Sequence, residues 1–498
     1  MLKCSAVIKR LLLSCAALAV LAAGGDAEAQ TRRGRAGRRA PAAPRVVVSP
    51  TPEVRERNVR AHMEFLASDA MQGRGSGTQF ELLAGHYIAS QLRQYGVEPA
   101  GDADATTAAG PKSFLQTIAL TRQSFAAAPA LTFGAAGGER KRWAHGKEML
   151  VWRITAAGLK GNLQKLRAGE QPAAGAFVLL DQGEGGAQGS SQQASAIARA
   201  GAAAVIIAET PALRQRWDAM GAALPQLPLN AGGAGGAGGN IFVVSADAYR
   251  ELQAVADGTE ISVEGELAAA QENYTWNVVG VLPGSDPKLS GEAVLLSAHM
   301  DHLGVRVGGA GDQIYNGADD DASGVVAVLE LARALGAGAR PKRTVYFVLF
   351  GSEEKGGHGA RHFLSRPPVA LDKIIANLEF EMIGRPDAKV AADALWLTGY
   401  ERSNLGTELA RQGARIVPDP HPEQNFFQRS DNYALARRGV VAHTVSSFGL
   451  HPEYHQPADD LAHIDFPHMT RAINSMVRPV LWLANSTFTP AWAEGKKP

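Results

Sequence analysis

Five short stretches in the second half of the chain concentrate imidazoles and carboxylates. They are His299-Met300-Asp301, Asn316-Gly317-Ala318-Asp319-Asp320-Asp321-Ala322-Ser323-Gly324, Gly351-Ser352-Glu353-Glu354, Glu379-Phe380-Glu381-Met382-Ile383-Gly384 and Tyr454-His455-Gln456-Pro457-Ala458-Asp459. A metal-binding imidazole needs its other ring nitrogen held by an acceptor, and a carboxylate two residues on, as in His299-x-Asp301, suits that task. Taken alone, His-x-Asp is more often structural. The aspartate run precedes a helix, where Asp and Ser cap the first turn and favour the dipole, yet three acids exceed what capping needs. Glu353 and Glu354 leave an apolar run where an unpaired buried charge is costly, so something cationic must compensate them. Adjacent residues at a strand end point in different directions, so one can bind a metal while its neighbour acts as general base. Two imidazoles and several carboxylates without nearby cysteine suit zinc or a comparable divalent ion. Two ions about 3.5–4 Å apart need a bridging carboxylate and a bridging water.

The elements that would position these groups follow from apolar patterning. Strand candidates at 293–298, 344–350 and 373–380 alternate with a helix over 323–335 and another after Gly356. Alternation of this kind, with continuous apolar strands, predicts a mostly parallel sheet covered on both faces, with its chemistry at the carboxyl ends of the strands. Residues 55–125 read as an α-rich opening, with apolar spacing through Val59, Met63 and Leu66 and then Leu82, Leu83, Ile88 and Leu92, ended by Gly96. Between 130 and 265 the texture changes to Ala and Gly. Two apolar stretches, 176–180 and 203–208, flank a helical segment around 193–200, a βαβ-like grammar. The run Gly232 to Gly239 predicts an exposed loop; a phosphate cradle there would need a Lys-Ser/Thr and a helix start that do not follow.

The 498 residues predict two to four domains, and 45% hydrophobic content is ample for conventional cores. A formal charge of +1 excludes a global signature of nucleic-acid or anionic-membrane binding. The chain opens with Lys3, Lys9 and Arg10, a thirteen-residue apolar run from Leu11 to Ala23, and small residues ending at Ala29. This predicts a signal peptide over 1–29 and a secreted or periplasmic protein; a stable membrane span needs about 20 apolar residues. Residues 30–54 form a linker whose first part, 30–45, carries six arginines and no acid; residues 46–498 are left at −6. Both cysteines, Cys4 and Cys15, fall in the predicted signal peptide. The mature chain would therefore have no disulfide, no thiol nucleophile and no cysteine-based metal site.

The ordered set His-x-Asp, Gly-Ala-Asp-Asp-Asp-Ala-Ser-Gly, Glu-Glu, Glu-Met-Ile-Gly and Tyr-His resembles the co-catalytic di-zinc exopeptidases, the family of bacterial secreted aminopeptidases and glutamate carboxypeptidase II. Leu66-Ala67-Ser68-Asp69 and Gly73-Arg74-Gly75-Ser76-Gly77-Thr78 are similar to the amino-terminal part of those enzymes. The resemblance covers about 55–125 and 270–490, and residues 130–265 resemble the protease-associated domain that many members carry as an insertion. It implies an α/β fold: a three-layer αβα zinc exopeptidase domain split as 55–129 and 266–490, with the inserted α/β domain at 130–265. It further implies two zinc ions, one on His299 and Glu381 and the other on Glu354 and His455, with Asp320 bridging. Asp301 would orient His299, Glu353 would be the general base, and Tyr454 would help stabilise the oxyanion. Ser430-Asp431 resembles a Ser-Asp pair near the family's site.

Three positions depart from that pattern. Glu381 stands where Asp is usual, with Glu379 a less suitable substitute; Asn432 follows Ser430-Asp431 where His is common; and Gly357 replaces a frequent Leu. The activity implied is that of an aminopeptidase on a peptide substrate. The rival is a carboxypeptidase or dipeptidase of the glutamate carboxypeptidase type, distinguished by the charges that grip a terminus, with Arg306, Arg385, Arg402 and Arg429 unassigned. A receptor-like scaffold should have lost ligands or base, and a single-zinc glutaminyl cyclase fits the intact Glu-Glu pair poorly. His302, His443 and His451 are read as surface or packing residues.

Overall fold

Along β3 (Ala293–His299), the side chains of Val294, Leu296 and Ala298 enter one apolar cluster and those of Ala293 and Leu295 another. This is the period of two expected of an extended chain covered on both faces. The same alternation runs through β4 (Thr344–Phe350), where Val345, Phe347 and Leu349 oppose Val348 and Phe350. With β5 (Ile374–Phe380) and β6 (Ala442–Ser446) these strands form a parallel block in the order β4-β3-β5-β6. The structure is a computed structural model and describes residues 52–103, 111–134, 138–167, 170–180, 193–198, 200–227, 239–306 and 311–498. The predicted signal peptide, the linker up to residue 51 and the glycine run from 232 to 238 lie outside the described residues. No helix among the described residues is long and apolar enough to cross a membrane.

Parallel pairing holds for that central block, while the strands that flank it on either side pair with it antiparallel. On one side β2 (Gln271–Leu282) pairs with β4, and β1 (Leu115–Arg122) with β2; on the other the strand Leu395–Leu397 runs against β6. The segment 115–122, read from sequence as part of an α-rich opening, is therefore a strand. Its burial alternates half-buried and buried against exposed positions, a pattern of period two that overrides the helical reading. Helices cover one face: α1 (Glu56–Leu66), α2 (Gln79–Gln94), α3 (Gly324–Gly336) and α6 (Phe466–Asn485) share a cluster with β3, β4 and β5. The other face packs against α4 (His358–Ser365) and α5 (Asp431–Ala436). These are the three layers.

A second sheet of eight described strands lies in sequence between β1 and β2, from Ala130–Phe133 to Glu260–Glu264. The apolar stretches read from sequence form its parallel centre, Phe177–Leu180 beside Ala204–Ala208 beside Asn240–Val244. Phe177, Leu179, Ile206 and Phe242 fill one side, Val178, Leu180, Val205 and Val243 the other. The chain leaves the main sheet at Arg122 and returns at Gln271, and these two residues are register partners.

Candidate metal centre at the strand ends

Each strand of the parallel block delivers its chemistry as the chain leaves the sheet. His299 is the last residue of β3, and Glu353-Glu354 follow β4 after a turn through Ser352, which adopts a positive φ of 52°. Glu381 is the first residue past β5, and His455 lies in the segment after β6. Asp320 arrives on the irregular turn Ala318–Ser323 that leads into α3. The ring of His299 places Nε2 3.1 Å from Asp320 Oδ1. His455 Nε2 stands 3.1 Å from both Asp320 Oδ2 and Glu354 Oε1. Glu381 joins His299 and Asp320 in a group whose potential ligand atoms all lie within 4.8 Å of one another.

The three consecutive aspartates divide their work. Among the three, it is Asp320 that turns its carboxylate to the imidazoles of His299 and His455. Asp321 accepts from Gly324 N at 2.9 Å, capping α3, and from Met382 N and His299 N, which braces three ligand-bearing segments together. Asp319 accepts from Gly384 N at 2.7 Å and meets His451 Nε2 at 3.0 Å. Asp459 in turn accepts from the amides of Asp319 and Asp320 at 2.8 and 3.1 Å. The capping explanation is thus correct for one acid of the three.

Asp301 sits where its sequence position suggested but works differently. His299 Nδ1 is 3.1 Å from the backbone carbonyl of Asp301 and 3.8 Å from its carboxylate, so the main chain is what orients the ring. The buried carboxylate instead accepts from Ser76 Oγ at 2.5 Å and from the amides of Glu353 and Glu354 at 3.0 and 3.4 Å. It fixes the Glu-Glu turn. Below it Arg74, with no exposed surface, donates to the carbonyls of Leu66, Met300, Asn316 and Gly317 at 2.6–3.0 Å. One guanidinium therefore ties the end of α1 to two loops that carry site residues.

Burial and crowding set the charges. Glu353 is pushed well above the usual carboxylate range by burial and by the neighbouring acids Asp431, Glu381 and Glu354, against the pull of His299. Burial and the Asp320 charge also raise Glu354, but the His302 and His455 imidazoles outweigh them and hold it at about 2. Burial lowers His455, and the Asp320 and Glu354 carboxylates beside it more than reverse this, to about 9. Asp431 is raised to about 7, first by burial and then by Asp301 and Glu381. Glu379, two residues before Glu381, is wholly buried, with both carboxylate oxygens unpartnered and its proton affinity raised mainly by burial. Tyr454 stacks on His455 with ring centroids 3.9 Å apart. It also lines a pocket with Glu381, Met382, Trp396, Phe426 and Phe448.

Sequence reasoning missed one residue of this centre. His302 is completely buried with Nδ1 3.0 Å from Glu354 Oε1, and it forms a second group with Asp320 and Glu354. The signal was its place directly after Asp301, in a loop already assigned to the site. The other two histidines set aside do pack: His443 bridges Ser403 Oγ and the Thr398 carbonyl at 2.7 Å each, and His451 meets Asp319. Of the departures, Gly357 is explained by its φ of 69° and by Asp431 Oδ1, which would stand 3.2 Å from an added Cβ. Asn432 is buried and donates to the Phe427 carbonyl at 3.3 Å.

The residues present fit a divalent metal. Imidazole nitrogens and carboxylate oxygens are the donors zinc and similar ions take without thiolates. Both ring nitrogens of His302 and Oε1 of Glu354 are buried without a hydrogen-bond partner, a costly arrangement that a cation would relieve. Two three-residue groups share Asp320.

With that geometry in view, residues 277–480 match the model of Peptidase family M28. The chain is similar to a "probable leucine aminopeptidase 2" of Aspergillus oryzae, 28% identical over 210 residues that cover 40% of this chain and 39% of that protein. It is also similar to Leupeptin-inactivating enzyme 1 of Streptomyces exfoliatus, 27% identical over 230 residues, 43% of this chain and 50% of that one. The match thus spans about two fifths to half the length of these curated relatives. In fold, the aminopeptidase from Aneurinibacillus sp. strain AM-1 superposes with a TM-score of 0.54 at 18% identity, covering 88% of this chain and 96% of that one. Residues 277–480, which supply His299, Asp320, Glu353, Glu354, Glu381 and His455, are thus the part of the chain that matches peptidase family M28.

Proposed function

We propose that the protein is a secreted or periplasmic zinc aminopeptidase that hydrolyses the amino-terminal peptide bond of peptides. The observation that carries this reading is the convergence of His299, Asp320 and Glu381 on one side, and of Asp320, Glu354 and His455 on the other, around a shared carboxylate. Two zinc ions would sit there, one on each set. When bound, the pair supplies Lewis acidity that polarises the scissile carbonyl and lowers the pKa of the attacking water. Glu353 takes a proton from that water on a carboxylate oxygen and passes it to the nitrogen of the leaving amine. Its raised proton affinity suits a group that must hold the proton between the two transfers. Tyr454 keeps its hydroxyl proton, because burial and the nearby carboxylates raise its pKa, so it can donate to the developing oxyanion. The aromatic pocket beside Glu381 suits an apolar side chain on the amino-terminal residue, in keeping with relatives called leucine aminopeptidases. Residues 130–265 would form the protease-associated insertion, and removal of residues 1–29 would accompany export.

The test combines elemental analysis of the purified mature protein with hydrolysis of aminoacyl anilides and their N-acetylated counterparts. We expect near two zinc ions per chain and activity abolished by chelation or by acetylation. Glu353→Gln should lower kcat by roughly 10²–10⁴-fold with metal content unchanged. Cleavage confined to peptides with a free carboxyl terminus would replace this reading by a carboxypeptidase.

A further inference from the structure

Glu81 lies in the first turn of α2, has no exposed surface and belongs to neither of the two metal-binding groups. We propose that Glu81 is a positioning residue for the reaction: through the Ser352 amide it holds the turn that aims Glu353 at the attacking water and Glu354 at the metal. The proposal rests on the reading of Glu353 as general base and adds the side chain that fixes its direction.

The first observation is how the turn is held. Ser352 is a non-glycine residue at a φ of 52°, a left-handed conformation that persists only where the surrounding contacts impose it. Four successive amides there donate to side chains. Gly351 N donates to Asn277 Oδ1 at 3.1 Å, Ser352 N to Glu81 Oε1 at 3.0 Å, and Glu353 N and Glu354 N to the Asp301 carboxylate at 3.0 and 3.4 Å. Glu81 thus takes the amide of the strained residue itself, one position before the general base. Gly351 reports the same contact from the other side: a Cβ there would stand 2.6 Å from Glu81 Oε1 and 2.2 Å from the Trp276 carbonyl, so only glycine fits between them.

The second observation is that the carboxylate does more than a helix cap needs. A Glu at the third position of a helix ordinarily reaches back to the amide of the N-cap residue. Here Oε2 accepts from Gly77 N at 2.7 Å, one residue before the cap Thr78, and that single bond would fulfil the capping role. Oε1 turns the other way, to Ser352 N and to Thr275 Oγ1, which donates to it at 2.7 Å from β2. Ser352 and Thr275 are both fully buried, so loss of this acceptor would leave the Ser352 amide without a partner in the interior.

The third observation is that Glu81 and Asp301 work side by side. Ser76 Oγ donates to Asp301 Oδ2 at 2.5 Å, and the next residue, Gly77, donates its amide to Glu81. On the far side Ser352 donates to Glu81, and the next residue, Glu353, donates to Asp301. Two carboxylates therefore join the pair Ser76-Gly77 to the pair Ser352-Glu353 in a closed ring of hydrogen bonds. Such a ring resists pivoting of the turn about any one contact, which is what a general base held within proton-transfer reach of a water requires. A carboxamide in place of the Glu81 carboxylate can accept on one side only, so one of the two amides it serves, Gly77 or Ser352, would face a donor.

The experiment is a double-mutant cycle on the zinc-loaded, full-length mature protein: wild type, Glu81→Gln, Glu353→Gln and the double variant, each read by steady-state hydrolysis of an aminoacyl anilide, zinc content and melting temperature. We expect Glu81→Gln to lower kcat about 10–100-fold, with zinc content unchanged and KM within about twofold of the wild type. In the Glu353→Gln background the same change should lower kcat by less than about twofold, because the group it aims is gone. Glu81→Asp, still acidic but one methylene short of the Ser352 amide, should show the same split between kcat and KM. An unchanged kcat in Glu81→Gln, a loss equally large in both backgrounds, or a loss that follows released zinc would overturn the assignment of Glu81 and leave Glu353 as the base. A Glu353→Gln enzyme as active as the wild type would remove the base itself and overturn both readings. Failure of both Glu81 variants to fold would make Glu81 a residue of the fold rather than of the turn, and the proposal would fall on that result too.

Discussion

The two sheets of this molecule are built from the same apolar alternation and treat charge in opposite ways. Between residues 123 and 270 the buried polar side chains among the described residues are His145, Asn240 and Ser262, and no carboxylate joins them. The main sheet buries Asp301, Asp319, Asp320, Asp321, Glu379 and Asp431 at or near the carboxyl ends of its parallel strands, with His299 and His302 among them. Apolar burial is sufficient to hold a sheet of either size together. Buried acids are not needed for that purpose and oppose it unless a counter-charge is supplied. The difference teaches that the second sheet holds together around an apolar core with little buried charge, whereas the first carries buried acids whose cost a bound cation would offset.

The comparison can be broken most directly at Asp320. Asp320→Ala should abolish hydrolysis, by about 10³-fold or more, because it takes away the carboxylate common to both groups. Steady-state kinetics would measure it. Hydrogen exchange in the same variant should rise at residues 299–302, 318–324 and 351–357 and stay unchanged at 177–180, 204–208 and 240–244. Loosening of both sheets together would show that they form one cooperative unit.

Phe177→Ala tests the other side. Phe177 is fully buried in the second sheet, so its loss should cost about 3–5 kcal/mol in the unfolding of that region, read by denaturant titration. Zinc affinity should stay within a factor of two. A parallel loss of metal would mean that the second sheet supports the centre.

A smaller effect separates buried neutral groups from the metal centre. His443 is lowered to about 4, first by burial, with the bond to the Thr398 carbonyl opposing. A folded-state pKa below the ordinary histidine value of about 6.5 means that the unfolded chain takes the proton first. The contribution is complete above about pH 6.5 and is lost as pH falls towards 4, by about 3 kcal/mol in all. Melting curves from pH 7 to 4 should show this slope, and His443→Gln should flatten it.

Much of the fold was legible because strand and helix periods are local. The strands at 293–299, 344–350 and 374–380 and the helix after Ser323 stand within a residue or two of where apolar spacing puts them. What escaped was set by distant partners. The strand Leu115–Arg122 is stabilised by a ladder to Gln271–Leu282, more than a hundred residues away. The division of labour among Asp319, Asp320 and Asp321 depends on Met382, Gly384, His451 and Asp459, which no window on the aspartates contains. Asp301 was expected to hold His299 with its carboxylate, and the Glu353 and Glu354 amides claim that group instead. His302 has no amphipathic or capping pattern of its own, so nothing short of its surroundings distinguishes it from a packing residue.

The register pair Arg122 and Gln271 has a consequence for the architecture as a modular object. Because the chain departs and re-enters at adjacent rungs of one ladder, the edge hairpin of the main sheet is closed in hydrogen-bonding terms before residues 123–270 are counted. Everything between those two rungs occupies the position of a hairpin loop. A tight turn of a few residues would join the same two strands without changing a single pairing further along them. The second sheet could thus be gained, lost or exchanged at that one seam while the strand ends that carry the metal centre kept their places.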